Sequence, residues 1–561
     1  MLKKHQFRVL FRVFLLRVVD LEILAADGDP VRLLGQFAAL FAAISLLVCL
    51  PLIAMGGSDT EFARETAHFL IATTMLVVGL LSILNWDAAS PDRTDALILS
   101  PLPVPSKTIF LAKLSALACP IGLAVLALNV FSGLVWPLYF ASSGNPLALL
   151  RSYTAYWITT LAGSCLMFLF VLALQGLASH LLPYRLFLRS SAWIQMAAFC
   201  VFLGTYILEP SLESPTAIAT NQALLDDLPS YWLWGLFQHL IGADAQIQSP
   251  THSIYQRLAD RAWISIAIVA LAATATWTLS YRRSLRKIIE EPSMVSGRPW
   301  LQAPARRWNP LSLAITSFCL HTLMRSHFHR VILSFYLGAG LALVLVYINV
   351  LSLLHPETAF KTSAVNPTSL GASILMMILV IAGIRVLAGI PIALQANWTF
   401  RMTEIHAPIA YLRATRTAVL LITVLPIWLA SASFFLLLWP WRLALGHLLL
   451  LFLLGLVLIE VSLHRFQKIP FTCSYMPGKG NLQFVFWAFA LILLPLINAA
   501  AQFEFGILRR PISLCATLAV LAVTVASVRT YNGVKARGLS EIKFDETETP
   551  EIVSLHLDRH P

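Results

Sequence analysis

Long apolar runs separated by short polar intervals dominate this chain. A bilayer crossing takes about 20 mostly apolar residues. Twelve runs of that kind are read, near 33–55, 67–86, 109–138, 156–180, 190–208, 262–281, 331–354, 370–392, 415–439, 443–462, 483–503 and 511–529. Ahead of each set of six lies a basic stretch, FRVLFRVFLLRVV in one case and CLHTLMRSHFHRVIL in the other. Arg8, Arg12 and Arg17 recur at helical spacing, which predicts an amphipathic helix over 1–20 lying on an anionic membrane surface. The same segment lacks the unbroken apolar core and small-residue cleavage site of a signal peptide.

The expected fold class is therefore an all-α polytopic membrane protein. It has about 12 transmembrane helices in two parallel six-helix repeats, with an amphipathic interfacial helix before each half. The first half is expected over 1–290, with an inner loop at 87–108 and a long external loop at 209–261. The second half is expected over 291–529, with an inner loop at 393–414, followed by a polar cytoplasmic tail at 530–561. Placing the N-terminus inside gathers 31 of the 40 Lys and Arg residues on the cytoplasmic side, with eight outside and Arg385 within a span. That asymmetry follows the positive-inside rule and requires an even number of crossings, hence a cytoplasmic C-terminus as well.

The two halves share more than a span count. Asn85-Trp86 closes the second run and Asn397-Trp398 closes the eighth. Each pair leads into a charged inner loop, DAASPDRTD or TFRMTE, and then back into apolar sequence through Lys107 and Lys113 or Arg413 and Arg416. Repeats with six crossings each keep the same sidedness and are related by an axis along the membrane normal.

Composition sharpens this picture. Of 561 residues, 58% are hydrophobic and 12% charged, against roughly 45–50% and 25% in soluble domains. The net charge of +12 has no compact basic domain behind it, so membrane lipid rather than nucleic acid is the expected partner. The seven cysteines form no CxxC pair and read as small buried hydrophobes, with no metal site.

The first inner loop carries Asp87, Asp92, Arg93 and Asp95, then a run of prolines at 101, 103 and 105. Three readings compete: a solvated connector whose prolines stop helices, a stiff docking element for a partner, or the cytoplasmic signature loop of a secondary transporter with two six-helix repeats. The last is disfavoured, because such loops are glycine-bearing and basic whereas this one has no glycine and opens acidic. The stretch NWDAASPDRTDALILSPLPVPSKTIFLAK also resembles bacterial permeases of the type 2 ABC exporters. The likeness lies in Trp86-Asp87, Pro91-Asp92-Arg93-Thr94-Asp95, Leu102-Pro103 and Ala112-Lys113. It is confined to about 30 positions, and the second half follows it in layout only.

The resemblance implies a connecting helix at 1–20, a coupling region at 87–108 and a re-entrant external segment at LPSYWLWGLFQHLIG. It further implies a separate ATPase subunit, contacted by Asp87, Asp92, Arg93 and Asp95 in one half and by Arg401 and Glu404 in the other. No cofactor would then be bound directly, and ATP would act through the partner subunit. The chain would work as a homodimer or as a single chain with both permease halves, in the cytoplasmic membrane of a bacterium.

The chemistry missing from the sequence agrees with a borrowed energy source. Gly478-Lys479-Gly480 lacks the earlier glycine and the Ser/Thr of a P-loop, and neither H-E-x-x-H nor G-x-S-x-G occurs. The chain is expected not to be an enzyme. The external acids Glu209, Glu213, Asp226, Asp227 and Asp244 offer carboxylate pairs for acid–base work, or simply solvate the loop. Ionisable groups inside the spans are scarce. Arg385 is expected to snorkel, Glu460 to sit at the interface and His447 to form a polar edge. Carriers driven by protons usually keep such groups at membrane depth.

Overall fold

The computed structural model describes residues 4–19, 30–54, 60–86, 98–99, 102–140, 146–209, 221–242, 251–290, 310–354, 365–390, 408–464, 469–472 and 482–537. Among these residues there are helices and connections but no strand. Eight stretches are long and apolar enough to cross a membrane: 66–84, 107–129, 146–181, 254–279, 367–387, 409–438, 441–462 and 511–535. Four other expected crossings fall on helices whose described apolar parts are shorter: Leu34–Leu50, Trp193–Leu208, Tyr336–Ile348 and Ile492–Leu508. Many large side chains on these helices point outward, among them Leu271, Leu437 and Ile512. Apolar faces left open this way suit lipid, where an exposed leucine costs nothing.

The chain divides into two compact units, Met1–Val295 and Ser296–Pro561. The first contains α1 (Lys4–Val19), α2 (Pro30–Ala54), α3 (Thr60–Leu84), α4 (Ser106–Asn129) and α5 (Ser132–Phe140). It continues with α6 (Pro146–Leu181), α7 (Tyr184–Leu208), α8 (Gln222–Asp227), α9 (Pro229–Ile241) and α10 (Thr251–Glu290).

Helix α1 is amphipathic as expected, but its apolar face rests on protein. Phe14 is buried against Ala112 and Ala116 of α4, with Phe7, Leu10, Phe11 and Leu99 around them. The Lys113 ammonium lies 5.7 Å from the centre of the Phe14 ring, a cation–π contact. Arg8, Arg12 and Arg17 stay exposed.

The single crossing expected over 109–138 is broken after Asn129. The Asn129 amide donates to the Val125 carbonyl at 2.9 Å and to Thr74 Oγ1 at 3.2 Å. Ser45 Oγ accepts from the backbone N–H groups of Phe131 and Ser132 at 3.3 and 3.1 Å. A helix can stop inside an apolar body only when its freed backbone groups find partners, and Ser45 supplies them. The Tyr156 hydroxyl closes the cluster by donating to Asn129 Oδ1 at 2.8 Å.

Most of the expected external loop is ordered helix. Pro229 opens α9 in the first turn, where its missing N–H costs nothing. Tyr231, Leu233, Trp234, Leu236 and Phe237 are then fully buried against α3, α6 and α10. Gly242 ends the helix at φ 80°, a left-handed cap that favours glycine. A Cβ there would lie 2.5 Å from Arg151 Nη1, and Arg151 donates to the Leu240 carbonyl. Gly242→Ala should therefore cost about 2 kcal/mol, the left-handed strain of an L residue plus a displaced arginine. Thermal melting of the purified protein checks this against Gly122→Ala, whose Cβ would meet nothing within 4 Å.

The second unit holds α11 (Pro310–Arg325), α12 (His327–Leu354), α13 (Pro367–Leu387) and α14 (Pro408–Val419). A π-helical turn at Leu420–Val424 joins α14 to α15 (Leu425–Leu438), and α16 (Trp441–Ser462), α17 (Leu482–Leu508) and α18 (Pro511–Arg537) follow. The π turn precedes Pro426, whose missing N–H and bulky ring disturb a regular ladder. Helix α18 continues to Arg537, past the point at 530 where the tail was expected. The tail beyond it lies outside the described residues.

Candidate functional site

Ionisable side chains inside apolar helices need partners, because desolvating an unpaired charge is prohibitive. Each unit contains a histidine–glutamate pair that meets this need. In the first unit, His68 lies near the N-terminal end of α3 and Glu209 just past the C-terminal end of α7. His68 Nε2 is 3.3 Å from Glu209 Oε1, with both side chains about 8% exposed. The Ser230 hydroxyl donates to the same carboxylate oxygen. Because Ser230 sits in the first turn of α9, the carboxylate also meets the positive end of that helix. The imidazole stacks on Tyr231 at a centroid distance of 4.1 Å.

Beside this pair a cavity of about 520 Å³ opens among α3, α6, α7, α8, α9 and α10. Its depth is apolar, with Met75, Leu166, Met167 and Phe202 in the wall. Its other end carries Tyr206, Glu209, Asp227 and Ser230. Tyr206 is fixed by a 2.7 Å hydrogen bond to Thr73. The volume falls within the roughly 300–1,000 Å³ range of small-molecule sites.

In the second unit, His447 of α16 is fully buried. Its Nδ1 lies 2.6 Å from Glu504 Oε1 of α17, and its Nε2 lies 3.0 Å from Ser373 Oγ of α13. Phe435 meets the imidazole edge-on at 4.7 Å. Ser373 Oγ also donates to the Leu370 carbonyl at 2.7 Å. Serine, histidine and glutamate thus stand in one hydrogen-bonded row linking three helices. His447 is not the polar edge expected from sequence.

A second polar cluster ties α14, α16 and α18 together. Arg416 Nη2 lies 3.4 Å from Glu460 Oε2, and Asn532 donates to that oxygen at 3.1 Å. Glu460 is therefore buried and paired rather than interfacial. Arg385 does not simply snorkel: its Nε donates to the Ser462 carbonyl at the end of α16 at 2.9 Å, where a cation is favoured.

The six expected coupling residues, Asp87, Asp92, Arg93, Asp95, Arg401 and Glu404, lie outside the described residues, as does Asn397-Trp398. The ends of the first loop are described. Trp86 is buried, and its carbonyl accepts from Gln175 of α6 at 2.6 Å. At the other end, Ala112 and Lys113 make the contact with α1 described above.

Of the acids expected to lie outside, Asp226 faces cations rather than another carboxylate. Arg257 and Arg261 of α10 lie 3.3 and 3.2 Å from its oxygens. That arrangement fastens α8 to α10 and removes the basis for a carboxylate pair with Asp227. Among the described residues, no group of three His, Cys, Asp or Glu side chains is placed to hold a metal ion. No family model, curated protein or solved structure matches the chain.

Sequence reasoning missed both buried pairs and the cavity. His68 and His447 were visible as histidines within apolar runs, and Glu504 stood one position past the run ending at 503. Their partners stand 141, 57 and 57 positions away, a tertiary relation that spacing does not encode.

Proposed function

We propose that this protein is the membrane permease component of an ABC-type exporter, driven by ATP hydrolysed on a separate subunit. The carrying observation is the pattern from Trp86-Asp87 to Ala112-Lys113. The two ends of that loop are anchored in packed helices, so force applied to it would reach α1, α4 and α6.

The internal pairings of the two units support a duplicated architecture of twelve crossings. In each unit the amphipathic helix packs on the third crossing, and the second crossing packs on both the fourth and the fifth. The fourth packs on the sixth. Helix α9 occupies the position of the re-entrant segment. Under this reading the loops at 87–108 and 393–414 face the cytoplasm of a bacterium, together with both termini.

Purification of the tagged full-length chain from its own host should bring down an ATPase with a Walker A motif. The triple variant Asp92→Ala, Arg93→Ala, Asp95→Ala should lose at least most of it while folding normally. Retention of the ATPase by that variant would remove the coupling role.

One observation favours a second reading, a secondary transporter with two parallel repeats. The His447–Glu504 pair is the kind of buried ionisable group that proton-driven carriers use. Transport that persists after ATP depletion and collapses with the proton gradient would decide for it.

A further inference from the structure

We infer that the cavity of the first unit binds a single-chain amphiphile with a cationic head group, entering sideways from the bilayer. The inference concerns binding and does not rest on the permease reading. Three features of the site carry it.

The first is access. Val201 of α7 and Ile268 of α10 line the cavity and are each 60% exposed, as is Phe170 at 41%. These side chains lie on apolar helices, so the opening is apolar and faces whatever solvates those helices. A ligand that arrives there is dissolved in the membrane.

The second is shape. The depth is walled by flexible Met75 and Met167 and by Phe202. Methionine adapts to irregular apolar guests. The 520 Å³ volume is that of a small-molecule site and is too small for a two-tailed lipid.

The third is charge. Among the described residues lining the cavity, Glu209 and Asp227 are the only Asp, Glu, Lys, Arg or His side chains, and both are acidic. Glu209 is held in place by His68 and Ser230, while Asp227 is exposed. Arg257 and Arg261 are engaged by Asp226 and are not part of the lining. Tyr206 adds a hydroxyl at the same end. A cationic head fits this rim, and a sulfate or phosphate head does not.

The test uses the full-length protein in phosphatidylcholine nanodiscs and a dodecyltrimethylammonium analogue with a photoreactive diazirine in its tail. Peptide mapping should place the label on α3, α6 and α7, around Met75, Met167 and Phe202. Unlabelled dodecyltrimethylammonium should compete, whereas dodecyl sulfate should not.

Asp227→Asn should weaken the cationic competitor about threefold, the size of one exposed charge interaction. Val201→Trp, a change on an exposed lip that leaves the packed interior alone, should abolish labelling at these sites. Wild-type melting temperatures would show that both variants fold. Equal competition by the sulfate would overturn the head-group assignment. Labelling spread over all lipid-facing helices, or unchanged by Val201→Trp, would overturn the site.

Discussion

Gly235→Ala is expected to destabilise the first unit by about 3 kcal/mol, the upper part of the usual range for overpacking. Helices α9 and α10 approach so closely at this point that a Cβ on residue 235 would occupy the space of Leu258 Cβ. Leu258 is completely buried, and its neighbours Tyr231, Trp234 and Tyr255 are large and fixed. Trp234 already meets Tyr255 edge-on at 5.4 Å, so neither helix can retreat without breaking ring contacts. Alanine normally favours a helix over glycine by about 1 kcal/mol, and the prediction is that packing overrides this. Melting curves and size-exclusion profiles of the purified variant give the measurement. Because the collision is with Leu258 Cβ itself, Gly235→Ala combined with Leu258→Gly, which removes that atom, should cost less than the sum of the single changes. Strict additivity would mean that the helices are not in contact there.

The second large effect is expected in the second unit. Glu504→Leu leaves His447 buried with Ser373 as its remaining hydrogen-bond partner, and breaking a buried pair from one side costs about 3–5 kcal/mol. The double variant His447→Leu, Glu504→Leu replaces both partners with apolar groups inside a cluster that includes Leu370, Phe435, Trp439 and Ala501. It should recover most of the lost stability. Magnitude separates this account from a milder one. Ordinary hydrogen bonds between membrane helices average about 0.6 kcal/mol, so a single-variant loss of that size would show that the pair is not energetically special. If the double variant melts no higher than the worse single variant, coupling between the two residues is refuted.

Eight of the expected crossings were legible because twenty consecutive apolar residues have few other uses in a protein. The amphipathic character of α1 was legible from Arg8, Arg12 and Arg17, but its partner was not. The apolar face of such a helix suits lipid or protein equally, and only tertiary structure shows Phe14 seated on Ala112 and Ala116. The break after Asn129 was hidden because its cause, Ser45, is 84 positions earlier in an unrelated run. The acids of the 209–261 loop read either as carboxylate pairs or as solvating groups, and only the resemblance implied an inserted segment at LPSYWLWGLFQHLIG. In fact Asp226 binds two arginines, and the aromatic segment beside it forms one of the best-buried helices in the unit. The cavity could not be read at all, since six helices contribute its wall and none carries a motif for it.

The burial of α9 has a consequence for how the chain is made. Thirteen residues of helix span only about 20 Å, too little to cross a ~30 Å hydrocarbon layer unaided. One wall of its resting place is α10, which is translated later. A nascent chain leaving the ribosome therefore presents Tyr231, Leu233, Trp234 and Leu236 before the surface that covers them exists. The segment needs shelter during that interval, and slow elongation while α9 has left the exit tunnel and α10 is still inside it would prolong its exposure to proteases and to aggregation.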